Sequence, residues 1–186
     1  MIGKIANSIK MAAGLVMRPR LAMGRALSVH YKVECFGPDG RLKWVDEFDN
    51  LVVNVGLDDS LDKHLKGSGY TAAWFVGLTD DTPTPAAGDT MASHVGWAEA
   101  TGYDEATREA LTLGTVSGQS VDNSASKASF TINATDTIGG AFVASDGTKG
   151  GTSGILYGAG AFTGGDRAVV DDDTLNVTVT LTAAAA

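Results

Sequence analysis

An all-β fold is what this sequence predicts: an antiparallel β-sandwich, Ig-like or jelly-roll-like, with one short helix and an extended, partly helical N-terminal arm. Three observations predict it. About eight short runs of strand character are separated by Gly, Pro and Asp turn signals. Gly numbers 24 and aromatic residues make up only 7% of the chain, a composition suited to short strands and tight turns. Only one segment has helical character, no strand–helix–strand rhythm runs through the chain, and no internal repeat supports a solenoid or propeller. At 186 residues and 44% hydrophobic content, one domain can bury a sizeable core.

The arm comes first, expected over residues 1–28, with the β domain over 29–186. Residues 1–28 carry Lys4, Lys10, Arg18, Arg20 and Arg25 and no acid, which leaves 9 bases against 22 acids in the rest. Ile2, Ile5, Ile9, Ala12 and Val16 recur three and four apart, placing them on one face of a helix. Pro19 restricts Arg18 and ends that helix nearby. The apolar run Met11 to Met17 stops at Arg18-Pro19-Arg20 with no clean cleavage site, so it does not read as a signal peptide, and it is far too short to span a membrane. The arm could dock on a neighbouring subunit, lie on an anionic lipid surface, touch nucleic acid or remain a solvated tail. Its apolar face lacks Trp and Phe, against the lipid reading. A sparse basic patch on an acidic body argues against nucleic acid. Docking is the expectation, through Ile2, Lys4, Ile5, Ile9, Lys10, Val16, Arg18, Arg20 and Arg25. Met1, Met11, Met17 and Met23, four of the five Met residues, suit an irregular partner groove.

Beyond the arm, Val29, Tyr31, Val33 and Cys35 alternate with polar residues as a strand. Gly37-Pro38-Asp39-Gly40 is a turn, and Leu42 to Phe48 returns as a hairpin. Asn54 to Lys66 spaces Val55, Leu57, Leu61 and Leu65 helically, with acids early, bases late and Gly67 as the stop. Thr71 to Leu78 is an apolar run of strand length, read as a central strand buried on both sides. Asp80 to Asp89 is a Pro-punctuated loop, and Thr90 to Trp97 reads equally as helix or loop. Further strands are expected at Ala110 to Thr115, Lys127 to Ala134, Thr137 to Ala144, Gly154 to Phe162 and Thr174 to Thr182. In the last, Leu175, Val177, Val179 and Leu181 alternate with a mostly hydroxyl-bearing face, so they should point to the core.

Motifs for chemistry are sparse. His30, His64 and His94 lack zinc-type spacing, and a lone Cys35 allows no intrachain disulfide. Asp80-Asp81 and Asp171-Asp172-Asp173 do not follow the calcium-loop pattern; a turn before a strand explains the triple Asp. Gly147 to Thr152 lacks the phosphate-loop order, and Gly158-Ala159-Gly160 sits inside a strand pattern, where bulges or close backbone approaches call for glycine. There is no Gly-x-Ser-x-Gly elbow. The expectation is a protein with no catalytic residue, no cofactor and no metal, and with Trp44, Trp74 and Trp97 in the core.

Lys32 to Phe36, Asp39-Gly40-x-Leu42-Lys43-Trp44 and Glu47-Phe48-x-Asn50-Leu51-Val52 together resemble the opening of small structural proteins encoded by tailed bacteriophages. Tyr70 to Leu78, Ala86 to Met91, Leu111 to Val116 and Gly164 to Leu181 are similar to later parts of such proteins, so the resemblance runs over residues 31 to 182. It implies a virion component, made in the host cytoplasm and carried on the particle exterior. The implied partners are other phage structural proteins, in the capsid or among portal, adaptor or tail subunits, with homo-oligomers and no direct nucleic acid or membrane contact. A capsid-decorating or cement protein is the first expectation, a tail or head-to-tail accessory such as a fibre or its anchor the second, and a virion-borne carbohydrate-binding module the third.

Overall fold

The computed structural model describes residues 27–69 and 73–184. The chain opens with β1 (Leu27–Phe36) and β2 (Leu42–Asp49), then β3 (Leu51–Val52) and the helix α1 (Asn54–Leu61), which one π-helical turn extends over Asp62–Lys66. There follow β4 (Phe75–Thr79), β5 (Glu99–Ala100), β6 (Glu109–Ala110), β7 (Ser120–Asp122), β8 (Ala128–Thr131), β9 (Asp136–Ile138) and β10 (Gly140–Ala144). The last are β11 (Leu156–Ala161), β12 (Arg167–Val169) and β13 (Thr174–Ala183). Every pairing is antiparallel, and two sheets face one another as a sandwich.

The first sheet has the order β2-β1-β13-β7, with β8 also on β13. Strict alternation builds it. Val29, Tyr31, Val33 and Cys35 of β1 point inward beside Leu175, Val177 and Val179 of β13, and all seven are buried, with Leu181 packed partly covered at the end. The β1–β2 turn closes through Gly37 N–H to Arg41 O and Gly40 N–H to Gly37 O, with Gly40 at φ +75°, a left-handed value that favours glycine.

The second sheet has the order β3-β11-β10-β4-β5, with β6 also on β4. Both of its faces are covered. Val76, Leu78, Ala141 and Val143 meet the first sheet, while Phe142, Ala144, Leu156 and Ala159 meet a second core made with Val53, Met91 and Trp97. Small residues make this double burial possible. A Cβ on Gly77 would stand 2.2 Å from Phe142 Cζ, and one on Gly160 would stand 2.9 Å from the Phe48 ring. The expected glycine-mediated close approach in Gly158-Ala159-Gly160 is present.

Several elements differ from the sequence reading. β1 begins at Leu27, inside the range assigned to the arm, and residues 1–26 lie outside the described residues. The strand expected over Thr71 to Leu78 is β4, starting at Phe75, with 70–72 undescribed. Ala110 to Thr115 keeps only its first residue in β6, because β4's free edge is already divided: β6 takes Phe75 and Val76, and β5 takes Leu78 and Thr79. Thr137 to Ala144 is broken at Gly139, whose position 2.0 Å (as a Cβ) from the Asp81 carbonyl carbon admits only glycine; the chain there passes from the β9–β12 ribbon into β10. Thr90 to Trp97 forms turns, closed by reciprocal Thr90 and Ser93 backbone bonds. β3, β5, β7 and β12 are two or three residues each, too short to show periodicity. The helix reading holds to Lys66, and Gly67 caps it at φ +80°.

Candidate functional site

The predicted docking residues Ile2, Lys4, Ile5, Ile9, Lys10, Val16, Arg18, Arg20 and Arg25 all lie outside the described residues. What the structure does give is their point of attachment. Leu27 opens β1, which pairs with β13 from Leu27↔Ala183 to Phe36↔Thr174 and with β2 from His30↔Asp49 onward. The arm therefore joins an interior strand, not a sheet edge. Val29 O accepts from Asn50 N–H at 3.0 Å, so the exit stands beside the segment that leads into α1.

The helix near that exit packs by its backbone. Gly56 is its buried residue, and a Cβ there would lie 2.6 Å from the Tyr157 carbonyl oxygen. Ser60 Oγ donates to Gly56 O at 3.0 Å. With Gly56 and Ser60 against the sheet, Leu57, Leu61 and Leu65 turn outward and are exposed by 39%, 56% and 81%. Between this helix and the sheet lies a cleft of about 340 Å³, lined among others by Ser60, His64, Trp74, Val116 and Tyr157. Trp74 meets Tyr157 edge to face, with centroids 5.4 Å apart. Burial raises the Tyr157 phenol's pKa.

Of the three tryptophans expected in the core, Trp97 is buried and Trp44 and Trp74 pack on the core half-covered. The histidines stand apart: His30 is 3.1 Å from Asp49 Oδ1, His64 lines the cleft, and His94 stacks on Trp97 with centroids 3.8 Å apart. Among the described residues, no group of three or more His, Cys, Asp or Glu side chains is placed to hold a metal ion, and no helix is long and apolar enough to cross a membrane.

Of the charged groups that the fold does gather, the Arg108–Glu99 pair and Asp46 are ones the sequence reading passed over. Arg108 is buried, bidentate on Glu99 (Nε–Oε1 2.9 Å, Nη2–Oε2 2.6 Å), and donates to the carbonyls of Asp146 and Gly151 at 2.7 Å each. The Gly147 to Thr152 loop thus turns its Gly151 carbonyl, with that of Asp146 just before it, inward to a guanidinium, and its Gly150 N–H is taken by Glu99 at 3.0 Å. A phosphate cradle needs free N–H groups. Asp46 is buried and accepts from Thr163 N–H (2.9 Å), Gly164 N–H (3.2 Å) and Arg167 Nη2 (2.7 Å). Asp173, fully buried, accepts from Val170 N–H at 2.9 Å and from the Lys43 ammonium, with Cys35 Sγ 3.8 Å away. The triple Asp does form a turn before a strand, and its last member also locks that turn to β2. Burial, with Asp173 adding to it, pushes the Cys35 thiol up to about 12, which leaves it inert as a nucleophile at neutral pH. These carboxylates are spent on holding loops.

A scan of protein-family models finds none that matches the chain, and a search of curated proteins returns no significant match.

Proposed function

We propose that this protein is a non-enzymatic structural component of a tailed-bacteriophage virion, a capsid-decorating or cement protein fastened to the particle by its N-terminal arm. The observation that supports this reading best is the arm's connection to β1. A pull on the arm runs along a ten-residue strand paired with β13 over its whole length and with β2 from His30 on, so load is taken in shear by two ladders. That is a suitable build for a tether. The basic arm and the acidic body, together with the resemblance to phage structural proteins over residues 31 to 182, point the same way.

Adding purified protein to particles that lack it tests the reading. Full-length chain binds, whereas the chain without residues 1–26 stays folded and does not. Ile5→Asp with Ile9→Asp abolishes retention, and Glu at Arg18, Arg20 and Arg25 slows association in a salt-dependent way. Full occupancy by the truncated chain would overturn the proposal. Copy number separates the alternatives: decoration scales with the area of the shell, and a tail or head-to-tail accessory with the single vertex. The carbohydrate-module reading draws on Trp74 and Tyr157 in the cleft, since aromatic faces beside polar groups suit sugars; glycan binding lost in Trp74→Ala would favour it.

A further inference from the structure

We infer that the outward leucine ridge of the helix, Leu57, Leu61 and Leu65, is the resting place of the chain's own arm, residues 2–16, before the arm meets any partner. The helix is inverted relative to an ordinary surface helix. Its small residues Gly56 and Ser60 face the body, and three leucines spaced four apart face out, the last 81% exposed. A surface helix normally keeps such a stripe against its own core.

Three features select the arm as the occupant. Its apolar residues Ile2, Ile5, Ile9, Ala12 and Val16 repeat three and four apart, the spacing that meshes with a leucine row at helix-packing distance. Its charge is complementary: Lys4 and Lys10 flank the arm's stripe and the arm has no acid of its own, while Asp58, next to Leu57, is exposed on the helix. Its reach is sufficient. The arm leaves at Leu27, Val29 is bonded to Asn50, and Asn50 lies four residues before the start of the helix, at most about 14 Å of chain. Residues 17–26 alone can span about 33 Å. Tethering of this kind gives an effective concentration in the millimolar range, which favours the chain's own arm over that of another copy. The ridge then acts as a cover for the arm's apolar face, released when a stronger partner surface competes. The inference rests on reading the arm as a docking element, and it is tested without particles, so its failure is separable from that of the virion assignment.

Full-length protein carrying Ile9→Cys and Leu61→Cys is oxidised mildly at low concentration and run on a non-reducing gel; buried Cys35 stays out of the exchange. The expected product is a cross-linked monomer, formed at least ten times faster than in a matched Ile9→Cys/Arg41→Cys chain, whose second cysteine is on the distant hairpin. Equal rates, or no cross-link, would overturn the inference, and a cross-linked dimer would overturn it in favour of exchange between copies. In parallel, Leu61→Asp at its exposed position leaves the melting temperature unchanged while raising amide exchange over residues 2–16 at least tenfold; unaltered exchange there would also overturn it.

Discussion

The two sheets of the sandwich solve the same burial problem in opposite ways. In the first, one face is dry and the other wet, so β1 and β13 alternate residue by residue, and the outer side carries His30, Lys32, Glu34 and a row of threonines. In the second, both faces are dry, alternation disappears, and β4, β10 and β11 read as runs of Ala, Gly, Val and Phe. The difference teaches where shape replaces polarity as the constraint. A one-sided sheet specifies its register through water; a two-sided sheet specifies it by fitting a bulky group opposite a missing one, as Phe142 fits opposite Gly77.

The contrast is broken most severely by charge on the dry face of the first sheet. Val177→Asp buries an unpaired carboxylate and should cost more than about 4 kcal/mol, enough to unfold the domain, while Thr178→Asp on the wet face changes stability by about 0.5 kcal/mol or less. Chemical denaturation of the pair measures both; the reverse order would mean the strand faces the other way. Next comes the ionic clasp beside the second sheet. Arg108→Met leaves Glu99 with only the Gly150 N–H and takes the guanidinium from two carbonyls, and a loss of about 3–5 kcal/mol is expected, against a much smaller loss when Glu99→Gln is added to it.

Shape is tested by Gly77→Ala. The new methyl meets the Phe142 ring, and a cost of about 1–3 kcal/mol is expected, partly recovered in the Gly77→Ala/Phe142→Leu double variant. Additive losses in that cycle would mean that the two positions do not constrain each other. The smallest effect is on the wet face. Glu34 accepts from Lys127 at 2.5 Å and sits 3.1 Å from Lys32, and these contacts lower its pKa. A carboxylate so held contributes stability above its unfolded pKa and loses it as pH falls through the folded value. Glu34→Gln should therefore cost about 0.2–1 kcal/mol near neutral pH, with the difference from wild type fading in acid. A difference that grows on acidification would reverse that sign.

What could be read in the sequence follows the same division. The inward set of β1 and β13, the Gly37 to Gly40 turn and the Gly67 cap are all local patterns, and each stands where its residues place it. Gly158-Ala159-Gly160 was legible as a close approach, though not as one to Phe48 and Asn50, because the partners lie over a hundred residues away in the chain. β5 escaped notice, and β6 was foreseen only at Ala110, since each is two residues long and owes its existence to β4. Glu99 and Arg108 escaped for a related reason: nothing in their neighbourhood marks them as buried, and the loop they hold arrives from residues 146–151. The outward leucines of the helix were legible as a stripe, but the side they face was not, since only the contact of Gly56 with Tyr157 settles the rotation.

The hairpin tip carries a practical corollary. β1 is ten residues long, so the turn at Pro38, Asp39 and Gly40 stands about 30 Å from the arm's exit at Leu27, at the opposite pole of the domain. Its residues are exposed, and a Cβ at Gly40 would find nothing within 4 Å. A foreign peptide spliced between Asp39 and Gly40 should leave both sheets undisturbed. It would also be carried outward from whatever surface the arm holds, which makes this tip the natural place to mount an epitope or enzyme for display.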